Sequence, residues 1–274
     1  MRGRSLIGPI ALVAVLMAAP GGGRAHEDSK YPDWTGQWQR VGGIQWDPSK
    51  PLGRGQQPPL TPEYQAIFEA SLADQARGGQ GNWFPCMPAG MPRLMTAVFP
   101  MEIIILPNIT YILFEQNLPR RIYTDGRAWP NNIEPTFSGY SIGKWVDDDR
   151  DGRYDALEVE TRNMKGSRAF EISGLPLHQD NETVVKERIG IDKADRDILL
   201  DEITTIDHAL THPWTVTKKY HRRANPVWLE YDCADNQHVA IGKENYFLSA
   251  DGLLMPTKKD QAPPDLKYFN QSRK

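Results

Sequence analysis

From about residue 94 onward, apolar and polar positions alternate in short runs separated by turn residues, the period of half-buried strands. The runs fall at 101–106, 109–114, 120–124, 141–146, 156–162, 183–191, 198–206, 214–222, 227–232 and 238–248. Upstream the period changes once. Tyr64, Ile67, Phe68 and Leu72 recur at helical spacing behind Thr61 as N-cap and Pro62 in the first turn, and Gly78-Gly79 ends the segment. The rest of the first mature residues is loop-like, rich in Trp, Gly and Pro (Trp34, Trp38, Trp46, Pro48, Pro51, Pro58, Pro59). Nine or ten sequential strands with short links predict a mainly β protein. Its expected form is an antiparallel meander closed into a lipocalin-like barrel, because closure removes exposed strand edges. We read residues 26–274 as one such domain, with 26–93 forming an N-terminal wrap and one helix.

Composition narrows the class. With 23 Gly and 22 Pro in 274 residues, long bundles and coiled coils are excluded, and 24% charged residues with 26 aromatics exclude a disordered chain. A net charge of −3 without a basic stripe speaks against nucleic acid. At the N-terminus, Arg2 and Arg4 precede an apolar run from Leu6 to Ala19, followed by the small residues Gly23 and Ala25 at −3 and −1, the pattern of a secretory signal peptide over residues 1–25. The run is too short to span a bilayer, so a periplasmic or secreted protein without a membrane span after cleavage is expected. Cleavage removes three arginines and no acid, taking the charge from −3 to −6. In an oxidising compartment Cys86 and Cys233 can pair, a link worth a few kcal/mol through the long loop it closes; two buried thiols are the alternative.

The sharpest local pattern is Asp147-Asp148-Asp149-Arg150-Asp151-Gly152-Arg153-Tyr154-Asp155-Ala156-Leu157-Glu158. It has the spacing of a twelve-residue calcium loop: carboxylates at Asp147, Asp149, Asp151 and Asp155, a sharp turn at Gly152, the main-chain carbonyl of Arg153, and Glu158 in the bidentate place. Its flanks read as strands, so the expectation is a hairpin clasped by a structural Ca²⁺; an acidic solvated turn has the same composition.

Strand alternation suggests a second site. Thr183, Val185, Glu187, Ile189 and Ile191 share one face, and Ile198, Leu200, Glu202, Thr204 and Ile206 share one face of the next strand. If Ile191 opposes Ile198, Glu187 opposes Glu202 inside the barrel at about 5 Å between Cβ atoms. Two carboxyls so placed cannot both ionise cheaply, which makes them an acid/base couple, or else the partners of a buried cation. Arg121 and Tyr123 share a face, as do Trp214, Val216, Lys218 and Tyr220, so Arg121 and Lys218 are candidates to hold a ligand carboxylate beside Trp214 and Tyr220. His178 lies in the loop that opens the Glu187 strand. His208 and His212 are four apart but lack the glutamate of HExxH and run into Pro213, so no metal is expected on that pair. No GxSxG, Walker or dinucleotide motif occurs, and no cofactor is expected for catalysis.

The ordered succession Cys86-Met87-Pro88-Ala89-Gly90-Met91-Pro92-Arg93, Arg121-Ile122-Tyr123-Thr124-Asp125-Gly126-Arg127 and Gly139-Tyr140-Ser141-Ile142-Gly143-Lys144-Trp145 resembles a large family of exported, mostly uncharacterised proteins of soil bacteria. The resemblance continues through Leu157 to Thr161, His178, Val184 to Arg188, Pro213-Trp214-Thr215 and Trp228 to Cys233. It places both cysteines on family motifs, supports Arg121, Tyr123, His178 and Glu187, and marks Glu202 and the acidic loop as subgroup features. Within the family the chain is most similar to sphingomonad proteins of lignin-dimer breakdown, including side-chain decarboxylases of phenylcoumaran acids. The resemblance implies a cofactor-free lyase that opens the phenylcoumaran ring and loses carbon dioxide or formaldehyde to give a stilbene. In it Glu187 or His178 takes a phenol proton, Glu202 or Tyr123 protonates the leaving ether oxygen, and Arg121 or Lys218 orients the carboxylate. The alternative is a periplasmic, lipocalin-like carrier of a small apolar or aromatic molecule. A third reading, a calcium-stabilised module, would go with a filled, dry interior.

Overall fold

The computed structural model describes residues 30–79, 81, 88–165, 169–178, 180–229, 238–241, 244–248 and 254–257. The signal-peptide expectation at 1–25 and the pairing of Cys86 with Cys233 lie outside the described residues. Nine strands form a closed barrel: β1 (Gln37–Arg40), β2 (Met101–Leu106), β3 (Ile109–Phe114), β4 (Arg120–Tyr123), β5 (Tyr140–Val146), β6 (Ala156–Arg162), β7 (Val184–Ile191), β8 (Ile198–Ile206) and β9 (Trp214–Arg222). Neighbours in sequence are neighbours in the barrel, and every pairing is antiparallel except β4 with β5, a short parallel contact of Ile122 with Ser141 and Tyr123 with Ile142. The mainly β, lipocalin-like barrel read from the alternation is therefore the fold of the chain.

The closing strand comes from the segment read as loop. β1 pairs with β2 through Trp38 and Met101, and with β9 through Trp38 and Arg222, Gln39 and His221, Arg40 and Tyr220. Only four residues long and flanked by Gly36 and Gly42, both with positive φ, β1 carries too few alternations to declare itself. Conversely, residues 227–229 of the expected strand at 227–232 are not in a strand, and 238–248 divides in two. β10 (His238–Ile241) and β11 (Glu244–Leu248) pair antiparallel, and β12 (Leu254–Thr257) completes a separate three-stranded sheet.

The helix α1 (Pro62–Ala76) starts where expected: Thr61 Oγ1 accepts the Tyr64 amide at 3.4 Å, and Pro62 occupies the first turn. It buries Tyr64, Phe68 and Ser71, and Ser71 donates to the carbonyl of Ser173. Thr61 donates its amide to Ala209 and Leu60 bridges Leu210, which fixes the helix to the connection between β8 and β9. No helix among the described residues is long and apolar enough to cross a membrane.

The core is continuous from the wrap into the barrel. Trp34, Trp38 and Trp46 are fully buried with Met101, Ile112, Ile122, Leu157, Val185, Leu199 and Ile203. Gly143 on β5 faces this core at the parallel junction, where a Cβ would stand 2.7 Å from Ile122 Cγ2 and 3.0 Å from Leu157 Cδ1; only glycine lets β4 approach there.

Candidate functional site

The inner face of β7 is the one the alternation predicts: Val185, Glu187 and Ile189 are buried and Lys186 is exposed. On β8 the prediction is off by one residue. Glu187 opposes Ile203 and Ile189 opposes Asp201, so Leu199, Asp201, Ile203 and Thr205 face inward and Glu202 faces out. A one-residue change of register exchanges the two faces of a strand. The acid beside Glu187 is thus Asp201, its diagonal neighbour, and Glu202 lines an outer groove of about 540 Å³ with Arg188, Lys193 and Arg196.

β4 shows the same correction. Arg120, not Arg121, is buried. Its Nη1 donates to Glu187 Oε1 at 2.7 Å and Nη2 to Oε2, a bidentate pair without solvent exposure on either side. Nη2 also donates to Thr161 Oγ1 at 2.9 Å and Nε to Ser141 Oγ at 3.4 Å, and the two hydroxyls share a 2.8 Å hydrogen bond. Arg121 instead lies outside, with its guanidinium 5.9 Å from the Tyr111 ring centre. Tyr123 is also on the outer side, stacked on Tyr140 at 5.0 Å with Arg127 3.8 Å above its ring.

Lys218, Tyr220 and Trp214 point inward, as the polar alternation of Thr215, Thr217, Lys219 and His221 predicts. The Lys218 ammonium donates to the Trp46 carbonyl and sits 4.1 Å from the Trp46 ring centre. Trp214 packs edge-on against Phe170 and Trp46. Tyr220 donates its hydroxyl to the Met95 carbonyl at 2.5 Å.

Asp201 is the outlier. It is fully buried and cross-strand from Lys218, yet neither carboxylate oxygen meets a hydrogen-bond donor among the described residues. Burial, reinforced by the Glu187 charge and opposed by Arg120 and Lys218, holds its carboxyl well above the usual carboxylate range. Burial likewise lowers Lys218 to about 7, against the pull of Asp201. Tyr220 is pushed well above its ordinary value by burial and by the same two carboxyls. Arg40, across from Tyr220 at the end of β1, has Nε and Nη1 buried without a hydrogen-bond partner among the described residues. Next to this cluster, burial also raises the carboxyl of Glu171, which accepts from the Ser173 amide at 2.7 Å.

His178 does not join the pair. Its amide donates to Asp207 just past the end of β8, six residues and therefore about 20 Å along the strand from Asp201. Its ring lies against Tyr64 and His208 at the rim. The acidic loop brings the carboxylates of Asp147, Asp149 and Asp151 within 4.8 Å of one another. Asp155 instead accepts the Asp148 amide at 2.7 Å, and Glu158 pairs with Arg188 at 2.9 Å, so three of the expected ligands converge and two are otherwise engaged.

Sequence reasoning missed Arg120, Asp201 and Arg40. The signal for Asp201 was present: the face Leu199, Asp201, Ile203, Thr205 is as apolar as the face chosen. Fold and site together define a closed nine-stranded β-barrel with an ionisable cluster buried in its interior. Comparison of the chain with protein-family models, with curated proteins and with solved structures found no match in any of the three.

Proposed function

We propose that the chain is an exported, cofactor-free carbon–carbon lyase acting by acid/base chemistry on the side chain of a small lignin-derived aromatic acid. The observation that carries this reading is Asp201, a buried carboxyl that meets no donor among the described residues, next to an ionised pair and a lysine near neutrality. Burying each ion costs several kcal/mol, and apolar residues would fill the same space more stably, so a cluster of this kind is a poor structural device and a good catalytic one.

The roles move with the geometry. Glu187 is saturated by Arg120, and its charge adds to burial in keeping Asp201 protonated. Lys218 takes the phenol proton in its neutral form, Asp201 protonates the departing ether oxygen, and Arg40 offers the carboxylate Nε and Nη1, which meet no acceptor among the described residues. Ether opening leaves a quinone methide; the electrons of the side-chain bond to the carboxylate then form the new double bond and restore the ring as carbon dioxide leaves. Asp201 has given one proton and Lys218 has gained one, so a transfer between them resets the site, and the stilbene leaves as a phenolate that takes its proton from water.

The test is a panel of phenylcoumaran-type acids incubated with the purified protein, following carbon dioxide release and the stilbene chromophore. Wild type is expected to turn over at least one of them, and folded Asp201→Asn to lose roughly 10²-fold or more. Unchanged turnover in Asp201→Asn would refute these roles. Binding across the panel without product would favour the carrier, a reading supported by the buried aromatic cluster of Trp46, Phe170 and Trp214. As a separate part of the proposal, the loop at 147–158 binds a structural Ca²⁺ through Asp147, Asp149 and Asp151.

A further inference from the structure

At the rim of the barrel, remote from Asp201, two loops bring together three side chains that neither the acid/base site nor the acidic loop uses. His178 Nδ1 lies 3.0 Å from Asp180 Oδ2, and His208 Nδ1 lies 2.5 Å from the same oxygen. Each of the three residues has a potential ligand atom within 4.8 Å of one from each of the others. The imidazole planes stand at 90° with centres 5.4 Å apart, so the rings meet edge to face around the shared oxygen.

The cluster is braced from behind. Asp207 Oδ1 accepts the amides of both His178 and Ala209 at 2.8 Å, and Asp207 Oδ2 accepts from Thr183 Oγ1 at 2.5 Å. One carboxylate thereby ties the loop before β7 to the loop after β8. Asp180 Oδ1 accepts the Glu182 amide at 3.0 Å, which leaves Oδ2 for the histidines. Tyr64 of α1 lies beside the His178 ring, 5.5 Å between centres.

Hydrogen bonding does not satisfy this arrangement. His178 Nδ1 faces the Asp180 amide at 3.2 Å, a donor that needs the nitrogen's lone pair. The same nitrogen faces Asp180 Oδ2, an acceptor that needs a proton on it. One ring nitrogen cannot serve both. A cation at this point takes the His178 Nδ1 lone pair in place of the Asp180 amide, together with lone pairs of His208 Nδ1 and Asp180 Oδ2, which open from their 2.5 Å contact to ligand spacing. We propose that His178, Asp180 and His208 form a site for a divalent transition metal of the zinc type, bound through His178 Nδ1, His208 Nδ1 and Asp180 Oδ2. Two nitrogens and one oxygen suit zinc, nickel, copper or iron better than calcium or magnesium, which prefer all-oxygen shells. Three protein ligands leave the remaining coordination to water, on the side where His208 is exposed. The proposal is independent of the barrel interior.

The full-length protein, freed of metal by chelator, is titrated with Zn²⁺ by calorimetry and with Co²⁺ by visible absorption. One equivalent of Zn²⁺ is expected, with Co²⁺ giving the d–d bands of a nitrogen and oxygen shell. His208→Ala, at an exposed side chain whose loss should leave the fold intact, is expected to weaken Zn²⁺ by more than about tenfold. His212→Ala and Asp149→Asn should leave it unchanged. Absence of stoichiometric binding, or equal affinity in wild type and His208→Ala, would overturn the site and reduce the cluster to an ion pair. Loss in His212→Ala or Asp149→Asn would overturn the ligand assignment.

Discussion

Asp201 concentrates the physics of the interior in one residue. Its carboxyl is held above the ordinary value of 3.8 by burial first and Glu187 second. Between about pH 4 and its folded value, the folded chain keeps this proton while the unfolded chain has released it, so stability falls as pH rises through that window. Lys218 does the opposite higher up: lowered from 10.5 to about 7, it is deprotonated in the folded chain and protonated in the unfolded one between those values, so stability there rises with pH. Asp201→Asn titrates in neither state. Its melting temperature should match wild type near pH 4 and rise above it toward pH 7, below the lysine's window, each kcal/mol reading as about 2–4 °C for a chain of this size. Thermal melts from pH 4 to 7 check this; a constant difference across the range would show that Asp201 titrates normally. The residue was half visible in the sequence. Ile198-Leu199-Leu200 puts apolar side chains on both faces of β8, and Arg120-Arg121 puts a cation on both faces of β4, so alternation could not choose between them. On β9, where every second residue is polar, Lys218 was read correctly.

At the scale of elements, long alternating strands were legible with their ends, while the four-residue β1 was not, because its pairing partners lie far along the chain in β2 and β9. The β5–β6 hairpin was legible for another reason: its loop has the spacing of a chelate. That spacing brings three carboxylates together and leaves Glu158 on Arg188. A calcium ion would have to recruit ligands from these ion pairs, which sets the expected affinity in the weak range of extracellular modules, about 10⁻⁴–10⁻³ M. At 10 mM Ca²⁺ and the tighter end of that range, linkage gives about 2.7 kcal/mol, or roughly 5–10 °C in melting temperature. Asp149→Asn should abolish the shift. A wild-type melt that does not move with calcium would reduce the loop to a solvated turn.

For the whole molecule, the N-terminal wrap is part of the barrel and not an appendage on it. Among the described residues β1 is the strand that joins β2 to β9, and Arg222 at the end of β9 stitches it in place, donating to the carbonyls of Asp33 and Thr35 and to Asp197 while lying 4.4 Å from the Trp38 ring centre. Trp34 packs on Trp145, and Trp46 on Phe170 and Lys218, so the wrap plugs the interior at separate places. Removing a buried tryptophan costs about 3–5 kcal/mol, and three of them together with an open barrel edge exceed the 5–15 kcal/mol by which a domain is stable. A chain beginning at residue 60 should therefore lack the near-ultraviolet dichroism of packed aromatics, bind a hydrophobic dye and melt without a cooperative transition. A chain beginning at residue 30 retains every described contact and should melt as one unit. If the shorter chain keeps a cooperative melt within a few degrees of the longer one, the barrel closes without β1. Lys218 would then lose its Trp46 cover without cost to the fold, and the buried acid/base cluster would be open to solvent from that side.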